Sequence, residues 1–182
     1  MPKIMNKGSQ TMKRYLIILT SLFMMLGGMF LPLSLSATIT DLHNASARGD
    51  VAEITRLLDA GADIEARAGE YGTTPLHLAA QGGHPAAITT LLDRGADIEA
   101  GTGDGLTPLH RAAATGHSDT VIILLYRGAN IEARNDGNRT PLHFPAWAGH
   151  SDAVNTLLDR GADAKARTDD GTRPMIWPMI TT

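Results

Sequence analysis

The chain has 182 residues, with 16 lysines and arginines against 19 aspartates and glutamates, a formal charge of −3. It contains no cysteine, which excludes disulfides and cysteine-based redox or zinc chemistry. Hydrophobic residues make up 43% but aromatics only 4%, so the core that can form is thin and aliphatic.

The first 36 residues stand apart. Lys3, Lys7, Lys13 and Arg14 precede a 17-residue apolar run from Tyr15 to Leu31, which Pro32 breaks. Ser34, Leu35 and Ser36 place small residues at −3 and −1 before Ala37. This order predicts a secretory signal peptide over residues 1–36, with Met12 as a second candidate start. The alternative is an uncleaved membrane anchor. The run contains Gly27-Gly28 and falls short of the ~20 apolar residues a span needs. Removal takes away four cations and no acid, leaving a charge of −7 on residues 37–182. A surface of that sign lacks the basic face that phosphate backbones require, so no nucleic-acid partner is expected.

From Thr40 onward the chain repeats itself. A weak first copy carries Leu42-His43, Gly49-Asp50, Leu57-Leu58 and Gly61-Ala62-Asp63. Thr-Pro-Leu-His then stands at 74–77, 107–110 and 140–143, a period of 33 residues. Behind each block come Gly-His (83–84, 116–117, 149–150), Leu-Leu (91–92, 124–125, 157–158) and Gly-Ala-Asp or Gly-Ala-Asn (95–97, 128–130, 161–163). Self-similarity at this length means stacked units. Thr74, Thr107 and Thr140 can cap a helix, with Pro75, Pro108 and Pro141 at its first position. Gly83, Gly116 and Gly149 suit a left-handed residue ending that helix. Ile88, Leu91 and Leu92 recur at i, i+3, i+4, one buried face of a second helix. Gly95, Gly128 and Gly161 close it, and a polar loop leads onward.

These in-register features, over about residues 40–177, resemble the ankyrin repeat family. The resemblance implies an all-α solenoid of paired antiparallel helices with projecting β-hairpin loops. About four repeats are expected (40–70, 71–103, 104–136, 137–169) with a partial fifth over 170–182, and 37–182 form one repeat domain. It further implies a non-enzymatic module that binds another protein through a concave groove, with no cofactor and no small-molecule substrate. Combined with export, it points to the periplasm of a Gram-negative bacterium, or to the inner membrane if residues 1–36 remain attached.

Seven histidines could suggest a metalloenzyme, the alternative of a different class. Each falls in a Leu-His or Gly-His slot of the period: His43, His77, His84, His110, His117, His143 and His150. Equivalent slots in adjacent helices lie roughly 8–10 Å apart, too far to share a zinc ion bound at about 2 Å. The resemblance makes these imidazoles bridges between repeats. Asp63, Asp97, Asn130 and Asp163 share a turn slot, and Glu65, Glu99 and Glu132 follow as solvated in-register residues. Gly101–Gly105 is glycine-rich but links two repeats, so it reads as a hairpin tip rather than a phosphate loop.

Function is sought where the repeat varies. The resemblance places variable tips at Arg67, Glu70, Tyr71, Thr73, Gly101, Asp104, Leu106, Arg134, Asp136, Arg139, Arg167 and Asp169. It places helix slots at Arg48, Gln81, Thr115 and Trp147. The expected protein-binding set is Trp147, Arg139, Arg134, Tyr71, Gln81, Asp104, Thr115 and Arg167, with Trp147 as anchor because interface energy concentrates on Trp, Tyr and Arg. In the competing reading Trp147 folds over Phe144 or Pro145 and fills a packing gap. Pro145 replaces the first paired alanine and removes a bond near the helix start. The last unit loses the pattern at Arg173-Pro174-Met175-Ile176-Trp177-Pro178, which reads as a degenerate cap or an apolar docking surface.

Overall fold

A computed structural model describes residues 35–176. The segment expected to be a signal peptide lies outside them except for residues 35 and 36, and so does the chain beyond Ile176. Eight helices occur among the described residues: α1 (Leu35–Arg48), α2 (Val51–Asp59), α3 (Pro75–Gln81), α4 (Pro85–Asp93), α5 (Pro108–Ala114), α6 (Ser118–Tyr126), α7 (His143–Ala148) and α8 (Ser151–Asp159). They pair as helix–turn–helix units and stack, with α3, α5 and α7 forming one row and α2, α4, α6 and α8 the other. No helix among the described residues is long and apolar enough to cross a membrane.

Each repeat buries the same small set. Leu76 is buried with Ile88 and Leu91; one period on, Leu109 with Val121 and Leu124; then Leu142 with Val154 and Leu157. Ala79, Ala80, Ala112 and Ala113 are fully buried, the small side chains that let helices approach. The second residue of each Leu pair (Leu92, Leu125, Leu158) only flanks the core. Burying one Leu contributes roughly 1.5–3 kcal/mol. Three such residues cannot offset the ordering of a whole repeat, so stability resides in the interfaces between units.

Hydrogen bonds tie those interfaces in register. Thr74 caps α3 in a capping box whose reciprocal partner is His77 rather than Glu or Gln. His77 Nδ1 accepts the Thr74 N–H at 3.3 Å, so the ring proton sits on Nε2, which donates to the Leu106 carbonyl of the next repeat at 2.8 Å. His110 does the same between Thr107 and Arg139. His43 reaches the Thr73 carbonyl at 2.8 Å. The Gly-His slot works in the opposite direction, with His84 Nε2 donating to Ala47 O at 2.9 Å. This slot explains its own glycine. A Cβ on Gly83 would stand 2.6 Å from His117 Nδ1, and one on Gly116 2.7 Å from His150 Cγ. Both glycines also have positive φ, +68° and +76°.

The loops are tight turns rather than regular strands. Among the described residues only Ala68 and Thr73 form a bridge, each donating to the other at 2.9 Å. Successive tips are nonetheless laced together by Gly103 N–H to Tyr71 O (2.7 Å), Asp136 N–H to Asp104 O (3.1 Å) and Asp169 N–H to Gly137 O (3.4 Å). The glutamates expected to be merely solvated also bridge. Glu65, Glu99 and Glu132 accept the backbone N–H of Asp97, Asn130 and Asp163 in the following repeat, at 2.8, 2.7 and 2.7 Å. Lys165 takes that slot in the fourth repeat.

Burial pushes His77 and His110 down to about 4, against the hydrogen bonds to the next repeat, which favour the charged ring. Unfolded rings take up protons below pH ~6.5 while folded ones resist until about 4. Their contribution is therefore whole above pH ~6.5 and is lost as pH falls toward 4, on the order of 3 kcal/mol per ring. Thermal unfolding followed by circular dichroism should show a flat Tm above that range and a steep fall below it. Gly116→Ala should destabilise the stack by about 2 kcal/mol or more through strain and collision with His150. Urea unfolding measures this, and an unchanged midpoint would contradict the close approach.

Candidate functional site

The C-terminal end of the stack carries a cleft of about 390 Å³. One wall is α7, contributing His143, Phe144 and Trp147; the other is the irregular segment Thr168–Met175; Arg139 enters from the third hairpin. Trp147 is 81% exposed and Met175 62%. Trp147 therefore does not fold into a packing gap. Phe144 does the filling instead, packing edge-on against His110 with ring centroids 5.5 Å apart. Local sequence explains the wall. Pro145 has no N–H for the first turn, so α7 starts at His143, two residues later than the period predicts from α3 and α5. Trp147 then lies next to the last residue of a six-residue helix that ends at Gly149 with φ +82°.

The cleft is polar at its base. His143 Nδ1 accepts the Thr140 N–H at 3.0 Å, leaving the proton on Nε2. The Thr172 carbonyl lies close enough to favour the charged ring, yet burial dominates and lowers its pKa. No hydrogen bond of normal geometry reaches Nε2, a buried donor on a residue only 7% exposed. Asp170 Oδ1 accepts from the Thr168 hydroxyl and the Thr172 N–H, and these bonds hold its carboxyl down at about 2. Arg173 and the Arg139 guanidinium line the opening without a hydrogen bond or ion pair among the described residues.

Of the eight expected binding residues the cleft unites two, Trp147 and Arg139. Tyr71 is 54% exposed at the first tip, two repeats away. Gln81 is exposed at the end of α3. Asp104 Oδ1 accepts the Thr102 hydroxyl at 2.6 Å. Arg134 clamps its own hairpin and the next, donating to Asn138 O and Arg167 O at 3.0 Å each. Arg167 donates to Gly171 O. Thr115 and Arg48 sit one residue past the slot of Trp147 and Gln81, and the Thr115 hydroxyl donates to Arg111 O at 3.0 Å. Sequence reasoning did not place Asp170, Arg173 and Met175 in the binding set: Asp170 falls in the repeat slot of Asp104, whereas Arg173 and Met175 belong to the terminal segment read as a degenerate cap or an apolar docking surface.

Residues 42–92 match a family model described as ankyrin repeats (many copies), and residues 99–168 match one described as ankyrin repeats (3 copies). The chain belongs to the ankyrin repeat family. Comparison with curated proteins gives no match. Ankyrin repeats generally serve as protein–protein interaction modules. The matched ankyrin segment stops at Thr168, so most of the outer wall of the cleft lies beyond it. The ankyrin histidines divide between two structural slots, and among the described residues no three His, Asp or Glu side chains converge as a metal set.

The two kinds of surface residue should separate in stability measurements. Trp147→Ala should change the unfolding free energy by no more than about 0.5 kcal/mol, because an exposed side chain gives up little. Arg134→Ala, which removes a charged donor to two hairpins, should cost about 1–2 kcal/mol. Equal effects in chemical denaturation would overturn the distinction.

Proposed function

We propose that the chain is a non-enzymatic interaction module. Its partner protein lies along the groove of first helices and hairpin tips and is anchored at Trp147. The observation that carries this reading is the 81% exposure of Trp147 beside a cleft that also holds the Arg139 side chain. A large aromatic held in the open at a slot where α3 carries Gln81 has no role in packing, whereas Trp and Arg are the side chains on which interface energy concentrates. The pattern of residues 1–36 supports export, and residues 37–182 then act in the periplasm; intact mass of the exported chain tests this, cleavage leaving Ala37 at the N-terminus.

Affinity capture from the exported fraction, with the wild-type chain as bait, tests the interaction. Trp147→Ala should weaken the recovered complex by about 30-fold, equivalent to about 2 kcal/mol. Capture that is equally strong with Trp147→Ala and with Arg139→Ala baits would sink the reading.

A further inference from the structure

Resting on that reading, we infer that the C-terminal cleft recognises an extended, acidic segment of the partner, in which carboxylate side chains alternate with apolar ones. Three observations converge. First, two guanidinium groups, on Arg139 and Arg173, open into the cleft without a hydrogen bond or close ion pair among the described residues, although Arg139 feels the Asp170 carboxylate nearby. The one carboxylate there, Asp170, already holds two donors through Oδ1. The surroundings invert the sign of the chain, which is −3 overall. A ligand that balances this site brings carboxylates, which guanidinium binds in fork geometry.

Second, His143 Nε2 is a buried donor poorly met: the Thr172 carbonyl, which holds the place of the acceptors in the lower repeats, lies close but without normal hydrogen-bond geometry. The same atom in the lower repeats shows what the slot takes: His43, His77 and His110 each meet a main-chain carbonyl, of Thr73, Leu106 and Arg139. A carbonyl of an extended peptide is the same chemical group. Such a carbonyl would complete what the Thr172 carbonyl meets only in part. Third, Trp147 and Met175 are exposed on opposite walls, so an apolar side chain entering between them is sandwiched. Side chains alternate along an extended segment, which presents acid and apolar groups on alternate sides.

Fluorescence anisotropy with a labelled, end-capped octapeptide of alternating glutamate and leucine tests the inference on the full chain. It should bind at least about tenfold more tightly than the glutamine–leucine version, and weaken as salt rises. Arg139→Ala and Arg173→Ala should each weaken it by about fivefold or more. A chain with Arg139→Glu and Arg173→Glu should instead prefer the lysine–leucine version, which an unfolded variant could not do. Equal binding of the glutamate and glutamine peptides overturns the inference. So does binding that requires a free terminal carboxylate, and so does binding seen only in a chain ending at Ile176, which would make the chain's own tail the occupant. If the acidic peptide fails while Trp147→Ala still abolishes partner capture, the interaction reading stands and the carboxylate chemistry alone falls.

Discussion

A neutral imidazole bridging two repeats is the interaction on which the stack depends. Its geometry admits one tautomer. Nδ1 faces a backbone N–H of its own helix start, and Nε2 faces a carbonyl of the next hairpin. A proton on Nδ1 would confront the N–H that Nδ1 now accepts. The same ring thus completes a capping box and sets the register of the following unit. The core could not do this alone, because repeated leucines and alanines would tolerate a slip that directional bonds do not.

Around that bridge lie three parallel ladders made of different atoms. Glutamates Glu65, Glu99 and Glu132 bind N–H groups at the base of the next hairpin, and the tips exchange backbone bonds directly. On the second-helix side, Arg94 pairs with Asp59 at 2.8 Å and Arg127 with Asp93 at 2.5 Å, each across one repeat. Tyr126 breaks this third ladder, standing where an aspartate would continue it toward Arg160. Exposed ion pairs of this kind add little energy each. Their value is redundancy in fixing one unit over another.

The period made the fold legible, and with it the caps, the glycine turns and the structural role of the histidines. It could not reveal the glutamate ladder or the arginine clamps. In both, a side chain meets a backbone group, and backbone groups leave no mark in sequence. Arg134 and Arg167 looked variable and therefore available, but their nitrogens face carbonyls of their own and neighbouring hairpins. Thr115 misled for a simpler reason, a one-residue slip in the frame that makes it a helix cap. Trp147 was legible because it departs from an otherwise small or polar slot. The wall opposite it was legible only as a degenerate cap or an apolar docking surface, since Arg173 and Met175 belong to a segment with no repeat to compare.

The tip-to-tip bonds lengthen along the chain, from 2.7 to 3.1 to 3.4 Å. The glutamate rung is replaced by Lys165 at the same end, and the His143 bridge there is incomplete. Cohesion therefore declines toward the last repeat, which places local opening at that end of a one-dimensional stack. Amide hydrogens in α7 and the segment after Thr168 would exchange with solvent through small, frequent fraying events, while those of α3 to α6 would wait for larger ones. A ligand seated there acts as the missing neighbour, and its affinity is diminished by whatever fraction of molecules is frayed when it arrives.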